Sequence, residues 1–314
     1  MRSVLSTGAR RWAAMRSWPA NRLRARFFVA LALAALAPIS FVLTASTEGA
    51  DSGTGAATAA SARRTPTQPA RTHPARYRIV GCASHGSDAY RHGPSRRVVA
   101  LGFDDGPAPD TGAFVAMLAR SHARATFFLV GRQVSGAYRP TLLRALREGD
   151  VLGDHTFNHP YLTRTRQVTG ELQRTITAIR SLSGYTPCVF RPPYGAYDAA
   201  VVAAARSLGL ATVLWNVDPR DWALPGRRAI EGGVLSQVRP GSIIISHDGG
   251  GPRGETLAAY PPIIATLRAR GYGFVTIPEL LGFRPVYAPC GRVCDGLGLA
   301  RRDLPRGAII KAAH

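Results

Sequence analysis

The chain has 314 residues, of which 46% are hydrophobic and 19% are charged, so it can bury a substantial core and its composition excludes a fully disordered chain. Four cysteines in this length are too few for a disulfide-rich scaffold. The formal net charge of +21 favours anionic surroundings, such as cell-wall polymers or a membrane surface. Specific recognition of nucleic acid is not expected, because no nucleic-acid-binding motif accompanies the charge.

The first 45 residues have the pattern of an export signal. Residues 1–26 contain seven arginines and no acidic residue, and an uncharged, mostly apolar run of 19 residues follows at 27–45. This order is typical of a signal peptide, although the apolar run also approaches the roughly 20 residues that span a bilayer. We therefore expect an exported protein. It would be anchored in the membrane through residues 27–45 and face outside the cytoplasm, or be secreted if this signal is cleaved.

Residues 46–78 are predicted to form an extended linker. Within 46–76, 23 of 31 residues are Ala, Gly, Ser, Thr or Pro, and none is Val, Ile, Leu, Met or aromatic, so this segment has little to bury. The linker would hold a folded domain, predicted at 79–283, away from the membrane. Residues 284–314 are basic and loosely patterned, and we expect them to be a tail without an assigned function.

Short apolar runs alternate with helical patterns between residues 97 and 283. The predicted strands are 97–103, 125–130, 150–153, 187–190, 211–217, 242–246 and 273–277. The predicted helices are 111–120, capped by Asp110, and 140–148, 167–182, 198–208, 227–238 and 262–270. This alternation implies a parallel sheet covered by helices, and the pattern alone leaves open whether the sheet is doubly wound or closed into a barrel.

Polar residues gather directly after the apolar runs, where parallel α/β folds build their sites. Asp104 and Asp105 are adjacent carboxylates that repel each other, so they need a nearby cation or hydrogen-bond donors. His155 and His159 are spaced to share one face of a helix, close enough to bind one metal ion. Taken alone, either pair could be structural, as an Asp-rich turn or as two surface histidines.

Three further polar clusters follow later strands. They are the segments 190–195 (FRPPYG), 218–222 (DPRDW) and 243–250 (IIISHDGG). The two consecutive prolines predict a rigid loop that directs the next free amide, which belongs to Tyr194. Each cluster alone could be structural, but five clusters at the carboxyl ends of successive strands together predict an active site.

The motifs FDDGP, HTFNHP, RPPYG, DPRDW and ISHDGG resemble, in this order and spacing, the polysaccharide deacetylase family, which is carbohydrate esterase family four or the NodB homology domain. The resemblance covers residues 97–283 and implies a single catalytic domain with the fold of a distorted (β/α) barrel, usually seven-stranded. Gly102 stands where the family usually has threonine, and Ile245 where it usually has leucine. We expect the glycine to loosen the first loop and the isoleucine to reshape the acetyl pocket slightly.

The resemblance implies a metal site and a general base. Asp105, His155 and His159 would bind a divalent metal ion, with zinc expected first and cobalt or another transition metal as alternatives. Two histidines, one carboxylate and an open position are the ligands of a catalytic rather than a structural zinc site. Asp104 would be the general base, oriented by Arg191.

The same resemblance implies a general acid and substrate contacts. His247 would protonate the leaving amine, and Asp221 would hold this histidine protonated. An amide needs both groups, because its amine must be protonated in order to leave. The Tyr194 backbone N–H would stabilise the oxyanion, and Trp222 and Ile245 would line the pocket for the acetyl group and the sugar.

The activity implied by the resemblance is metal-dependent hydrolysis of N-acetyl groups from N-acetylglucosamine units of peptidoglycan or a chitin-like oligosaccharide. Such an enzyme is a hydrolase acting on carbon–nitrogen bonds other than peptide bonds. The alternatives are an O-acetyl esterase on acetylated xylan or wall glycan, and a non-catalytic wall-binding protein. A metal phosphoesterase would need more basic groups around the metal than these motifs provide. No protein partner is predicted.

The four cysteines leave the disulfide pairing open, and export permits disulfides. We expect one bridge among Cys82, Cys290 and Cys294, which would tie a terminal segment to the barrel. Cys188 lies in a predicted core strand and is expected to be a buried free thiol.

Overall fold

The structure is a computed structural model, and it describes residues 76–85, 89–290 and 298–312. The predicted signal or anchor at 1–45 and the predicted linker up to residue 75 lie outside the described residues. Within the described part of the chain, no helix is long and apolar enough to cross a membrane.

Eleven strands and seven α-helices make up the described residues. The strands are β1 Arg76–Ala83, β2 Val98–Gly106, β3 Ala125–Leu129, β4 Val151–Asp154, β5 Val189–Phe190, β6 Ala211–Thr212, β7 Ile243–His247, β8 Gly273–Val275, β9 Arg284–Pro289, β10 Leu299–Ala300 and β11 Ile309–Ile310. The helices are α1 Thr111–Arg120, α2 Arg139–Glu148, α3 Val168–Ser183, α4 Ala199–Ser207, α5 Arg227–Gln237, α6 Gly254–Ala269 and α7 Ile277–Leu280.

A parallel sheet of seven strands, β2 to β8, forms the centre of the fold, which confirms the predicted α/β class and the predicted number of strands. The order along the sheet is β6-β5-β4-β3-β2-β7, and β8 also pairs with β2. The chain that follows β6 reaches β7, where the Val217 backbone N–H donates to Ile243 O (3.2 Å) and the Ile245 N–H donates to Val217 O (3.0 Å). Because these bonds connect the two ends of the strand order, the sheet curls as in a distorted (β/α) barrel.

The observed elements differ from the predicted ones at two places. Of the run 211–217, only Ala211 and Thr212 form strand β6. Val213 instead makes an isolated bridge with Tyr90, and Val217 makes one with Ile244. Helix α6 begins eight residues before the predicted start at 262 and contains both Pro261 and Pro262. These prolines remove two backbone donors, but buried side chains on both sides of them keep the helix packed against the sheet.

The prediction that the Asp110 side chain caps α1 is wrong. Asp110 occupies the N-cap position but its side chain makes no capping hydrogen bond. Its Oδ2 atom instead accepts a hydrogen bond from the backbone N–H of Arg253 at 3.1 Å. The carboxylate therefore connects the start of α1 to the start of α6 and does not cap its own helix.

Aromatic side chains fill the core beneath the middle of the sheet. The Phe103 ring of β2 lies 5.0 Å from the Phe114 ring of α1, 5.5 Å from the Phe127 ring of β3 and 4.9 Å from the Tyr260 ring of α6. All four side chains are fully or almost fully buried. Phe103 directly precedes Asp104, so this packing fixes the strand end that carries the first polar motif.

A second, smaller sheet joins the two ends of the folded region. Its order is β10-β1-β9-β11, and β1 pairs antiparallel with β9 from Tyr77–Pro289 to Ala83–Arg284. Strand β1 begins inside the predicted linker, and β9 lies in the segment predicted to be a loosely patterned tail. Residues 76–78 and 284–289 therefore belong to the folded domain, because each segment supplies the backbone hydrogen bonds of the other.

The prediction that Cys188 is a free thiol is wrong. Cys82 forms a disulfide with Cys188, with a Cα–Cα distance of 5.4 Å, and Cys188 is buried and not a free thiol. The pairing arises because the Thr186 backbone N–H donates to Val80 O (2.9 Å), which brings β1 alongside the segment before β5. Cys290 is disulfide-bonded as well.

Replacing both Cys82 and Cys188 with serine is expected to lower the free energy of unfolding by about 4 kcal/mol, because the bond closes a chain segment with a sequence separation of 106. Urea denaturation of the folded domain measures this difference. Wild-type protein in a reducing agent should be no more stable than the variant, since reduction breaks this bond and also the disulfide at Cys290. Equal stability of the oxidised wild type and the variant would contradict the observed pairing.

Candidate active site

The predicted site residues lie at the carboxyl ends of the parallel strands. Asp104 and Asp105 end β2, His155 follows β4, Arg191 follows β5, and His247 ends β7. Asp104 and His247 are register partners on the neighbouring strands β2 and β7. Since all strands of the sheet are parallel, their carboxyl ends share one rim, and this topology brings distant sequence motifs together.

Three side chains form a potential metal site. The Nε2 atoms of His155 and His159 lie 3.4 and 3.2 Å from Oδ1 of Asp105, and one ligand atom from each residue falls within 4.8 Å of the others. Ligands placed tetrahedrally around zinc, with bonds of roughly 2.0–2.2 Å, lie about 3.4 Å from one another. The donor types and their spacing therefore fit a zinc ion.

The two histidines do not share a helix face, contrary to the sequence prediction. They lie on a loop after β4 in which Thr156 and His159 have left-handed backbone angles, with φ of 67° and 61°. Asp105 also has a positive φ, 71°. A helix would require negative φ throughout, so the loop brings the two rings together by a tight turn, with ring centroids 4.9 Å apart.

A hydrogen bond at the opposite ring atom orients each histidine. The Nδ1 atom of His155 lies 2.7 Å from the Arg191 carbonyl oxygen, and Nδ1 of His159 lies 3.2 Å from the Tyr194 hydroxyl. A carbonyl oxygen can only accept, so Nδ1 of His155 donates to it and the Nε2 atom points towards Asp105. Outer-shell bonds of this kind fix the tautomer and orientation of histidine ligands.

The charges of the three side chains are strongly coupled. Burial opposes ionisation of Asp105, but hydrogen bonds to His155 and His159, together with their charges, hold the pKa of this carboxyl well below its usual range. Burial likewise lowers the pKa of His155, whereas the neighbouring charges of Asp104 and Asp105 raise it, and the net shift is upward. This site attracts positive charge.

Asp104 is paired with a buried arginine. Arg191 Nη1 lies 2.7 Å from Asp104 Oδ1, and the two side chains are 0% and 2% exposed. Arg191 Nη2 also donates to the Leu214 carbonyl oxygen at 3.3 Å, and the guanidinium lies 4.2 Å from the centre of the Phe128 ring. Burial lowers the pKa of Arg191, and the charge and hydrogen bond of Asp104 oppose this shift. The pair therefore holds an aspartate carboxylate in a fixed orientation.

Gly102 does not loosen a loop, as we expected from the sequence. It lies within β2, paired with Thr126 of β3 and Ile245 of β7. A Cβ atom at this position would lie 2.5 Å from Nη1 of Arg191. The absence of a side chain at Gly102 thus provides the space in which the guanidinium reaches Asp104.

His247 and Asp221 form a second proton-transfer pair. His247 Nδ1 lies 2.8 Å from Oδ1 of Asp221, and Oδ2 of Asp221 accepts bonds from the His247 backbone N–H (2.9 Å) and the Thr256 hydroxyl (3.1 Å). Burial lowers the pKa of His247, but the hydrogen bond and charge of Asp221 outweigh it, with smaller contributions from Asp104 and Asp105, so the net shift is upward. The imidazole is therefore favoured in its protonated form.

The three predicted substrate contacts differ in exposure. Tyr194 and Trp222 are 56% and 49% exposed, as large rings available to a ligand. Ile245 is only 4% exposed and is held within β7. Tyr194 has a left-handed backbone conformation, with a φ of 60°.

Two residues beside the site were missed in the sequence. The Tyr161 ring stacks on the Tyr194 ring, with centroids 3.9 Å apart and an interplanar angle of 11°, and the Arg164 guanidinium lies 5.0 Å from the centre of the Tyr161 ring. Thr256 of α6 supports Asp221. Only the position of Tyr161, two residues after His159, could have drawn attention to it. Nothing in the sequence connects Thr256 to Asp221.

A cavity of about 550 Å³ lies elsewhere, near the amino ends of β3 and β4, and none of the predicted site residues lines it. Two of its arginines, Arg147 and Arg180, lie in the last turns of α2 and α3. Cations there compensate the exposed carbonyl groups of the helix ends, so these charges have a structural explanation. The chemistry lies at the opposite ends of the strands.

Comparisons with known proteins identify the family. The family model described as "Polysaccharide deacetylase" matches residues 91–213. A peptidoglycan-N-acetylglucosamine deacetylase of Bacillus cereus is 37% identical over 197 residues, which cover 60% of this chain and 91% of that protein. A chitooligosaccharide deacetylase of Rhizobium leguminosarum bv. trifolii is 36% identical over 202 residues, covering 60% and 93%.

Solved structures agree with these sequence comparisons. A peptidoglycan N-acetylglucosamine deacetylase has a TM-score of 0.59 and 32% identity, covering 62% of this chain and 92% of the other. A CE4 family pseudoenzyme from Bacillus anthracis has a TM-score of 0.57 and 26% identity, covering 63% and 70%. Because relatives more than 30% identical are matched over more than nine tenths of their length, the chain belongs to the polysaccharide deacetylase family.

Proposed function

We propose that the protein is a metal-dependent N-deacetylase that removes acetyl groups from N-acetylglucosamine units of peptidoglycan or a chitin-like oligosaccharide. One observation carries this proposal: a metal-binding triad, an arginine-paired carboxylate and a carboxylate-paired histidine meet on one rim of the sheet. The named functions of the relatives support the substrate class. The roles of the individual site residues and the choice of zinc are part of the proposal.

Asp105, His155 and His159 would hold the metal ion through one carboxylate oxygen and two Nε2 atoms. A divalent ion bound there supplies Lewis-acid polarisation of the acetyl carbonyl and of the attacking water. The hydrogen bonds at Nδ1 of both histidines keep their Nε2 atoms directed at this position.

Asp104 would be the general base. Its carboxylate accepts a hydrogen bond from Arg191 at Oδ1, which leaves Oδ2 on the side of the metal triad, 3.9 Å from His155 Nε2. A proton taken from the attacking water would therefore arrive at a carboxylate that is already oriented. Arg191 acts through Asp104 as a positioning residue.

His247 would be the general acid. Asp221 holds its Nδ1 and stabilises the imidazolium, so that Nε2 can donate a proton to the departing amine nitrogen. Protonation of the leaving group matters much more for an amide than for an ester. The supported histidine therefore favours the N-deacetylase over an O-acetyl esterase on xylan or wall glycan.

The exposed rings of Tyr194 and Trp222 provide apolar surfaces on which a pyranose ring can stack. The Tyr194 backbone N–H would stabilise the oxyanion of the attacked carbonyl. Ile245 would contribute to the pocket for the acetyl methyl group from within β7.

We further propose, from the sequence of residues 1–45 alone, that the protein is exported and that residues 27–45 contact the membrane if they are not cleaved.

Acetate release by the folded domain tests the function. The expected result is release from N-acetylated chitooligosaccharides or peptidoglycan fragments that stops with a chelator and returns with zinc. Acetylated xylan is the comparison substrate for the esterase. Release from xylan alone would replace the deacetylase proposal, and no release from any substrate with added zinc would favour a wall-binding protein.

Two substitutions separate the metal site from the base. His159→Ala is expected to abolish both zinc binding and turnover, since it removes a ligand. Asp104→Asn is expected to retain zinc and lower kcat by about 10²–10⁴-fold, because the amide cannot take the proton. Zinc content and acetate release are measured on the same samples. A near-normal kcat for Asp104→Asn would disprove the assignment of the base.

Removing the partner of the acid should change the pH dependence. Asp221 raises the pKa of His247, so Asp221→Asn is expected to lower that pKa. The acid must be protonated, and activity declines as pH rises through its pKa. The alkaline limb of the kcat/KM profile is therefore expected to move to lower pH. Asp218→Asn, in the same loop, is the control: the Asp218 carboxylate accepts from the Arg220 backbone N–H (2.7 Å), and this variant should leave the limb unchanged. An unchanged limb in Asp221→Asn would contradict the assignment of His247.

A further inference from the structure

Glu171 is a buried acidic residue that none of the motifs contains. It lies in the first turn of α3 and is 3% exposed. Its Oε2 atom accepts hydrogen bonds from the backbone N–H groups of Phe157 (3.0 Å) and Asn158 (2.7 Å), and its Oε1 atom accepts one from the Asn158 side-chain amide (2.8 Å). Three donors of the loop between the two histidine ligands thus converge on one carboxylate.

The loop that Glu171 holds has an unfavourable backbone conformation. Thr156 and His159 both have positive φ, which is costly for residues other than glycine and most of all for a β-branched threonine. Such a conformation persists only when the surrounding contacts impose it. The backbone N–H groups of the half-buried Phe157 and of Asn158 both find their acceptor in the buried carboxylate of Glu171.

The other contacts of the loop come from a different direction. Gly131 and Arg132, which follow β3, donate their backbone N–H groups to the carbonyl oxygens of Thr156 (2.9 Å) and Phe157 (3.1 Å). The loop is therefore held by its carbonyl groups on the β3 side and by the N–H groups of Phe157 and Asn158 on the α3 side. The N–H groups of Thr156 and His159 donate within the turn, to Asp154 Oδ1 (2.8 Å) and to the Thr156 hydroxyl (3.0 Å). Glu171 supplies the acceptors on the α3 side.

Arg174 completes the contact of α3 with the loop. Its guanidinium forms an ion pair with Oε1 of Glu171 and lies 4.5 Å from the centre of the Phe157 ring. One turn of α3 therefore fixes the orientation of the carboxylate and covers the aromatic side chain of the loop.

We propose that Glu171 is a positioning residue for the metal site: it sets the conformation of residues 156–159 so that Nε2 of His159 meets Asp105 and His155. The inference rests on the proposed metal-dependent function. It concerns the affinity of the site for the ion and not the chemical step, because Glu171 contacts the loop between the ligands and none of the reacting groups.

A glutamine cannot replace this carboxylate without loss. Oε2 faces two backbone donors, and Oε1 faces the Asn158 amide and Arg174. Whichever way a glutamine side chain is turned, its NH₂ group faces hydrogen-bond donors on one of the two sides. Glu171→Gln therefore removes part of the support with almost no change in volume.

The zinc ion itself is the probe, and its dissociation constant is measured by competition with a chromogenic chelator. Glu171→Gln is expected to weaken zinc binding about 10–100-fold, while kcat at saturating zinc stays within a few-fold of wild type. Glu148→Gln is the matched control, since Glu148 is an exposed glutamate of α2 that pairs with Arg144 at 3.7 Å and makes no contact with the loop. Its zinc affinity should equal that of wild type.

Asn158→Ala is a milder variant that removes only the side-chain bond to Glu171, and it serves if Glu171→Gln does not fold. It should weaken zinc binding in the same direction and by less. Unchanged zinc affinity in a folded Glu171→Gln or Asn158→Ala protein would overturn the inference and leave Glu171 with a purely structural role. A wild type that binds zinc but releases no acetate would contradict the proposed function, while the inference would still be decided by the zinc affinities.

Discussion

The buried ion pair between Arg191 and Asp104 is the constraint on which the rest of the site depends. Both side chains are almost inaccessible to solvent, so neither charge can exist there without the other. The same arginine accepts the Nδ1 proton of His155 at its carbonyl oxygen, and Gly102 leaves room for its guanidinium. One residue directly after β5 thus orients both Asp104, the proposed general base, and His155, a proposed metal ligand.

The barrel topology brings the remaining proposed site residues to the same rim. Asp104 and His247 are register partners on β2 and β7, so the proposed base and the proposed acid lie next to each other. Their partners have opposite charges: an arginine holds the carboxylate, and the carboxylate of Asp221 holds the histidine. This contrast suits the proposed roles of a base and an acid, both of which hydrolysis of an amide requires.

The strands of the parallel sheet and the motifs at their ends could be predicted from the sequence, because neighbouring residues in the chain mark each of them. Apolar runs marked β2 to β8, and each motif directly followed a run. Long-range pairings gave no such signal: Cys82 meets Cys188 because β1 lies beside the segment before β5, and β1 meets β9 from the far end of the domain. The spacing of His155 and His159 suggested a helix, but hydrogen bonds from outside the loop impose positive φ values that spacing does not reveal.

The most direct test of the account is the crystal structure of the folded domain soaked with zinc, with anomalous diffraction recorded on both sides of the zinc absorption edge. The account predicts one strong anomalous peak bonded to Asp105 Oδ1 and to Nε2 of His155 and His159, with an open position facing Asp104 and His247. Zinc bound through Nδ1 of either histidine, or located away from these three side chains, would contradict it.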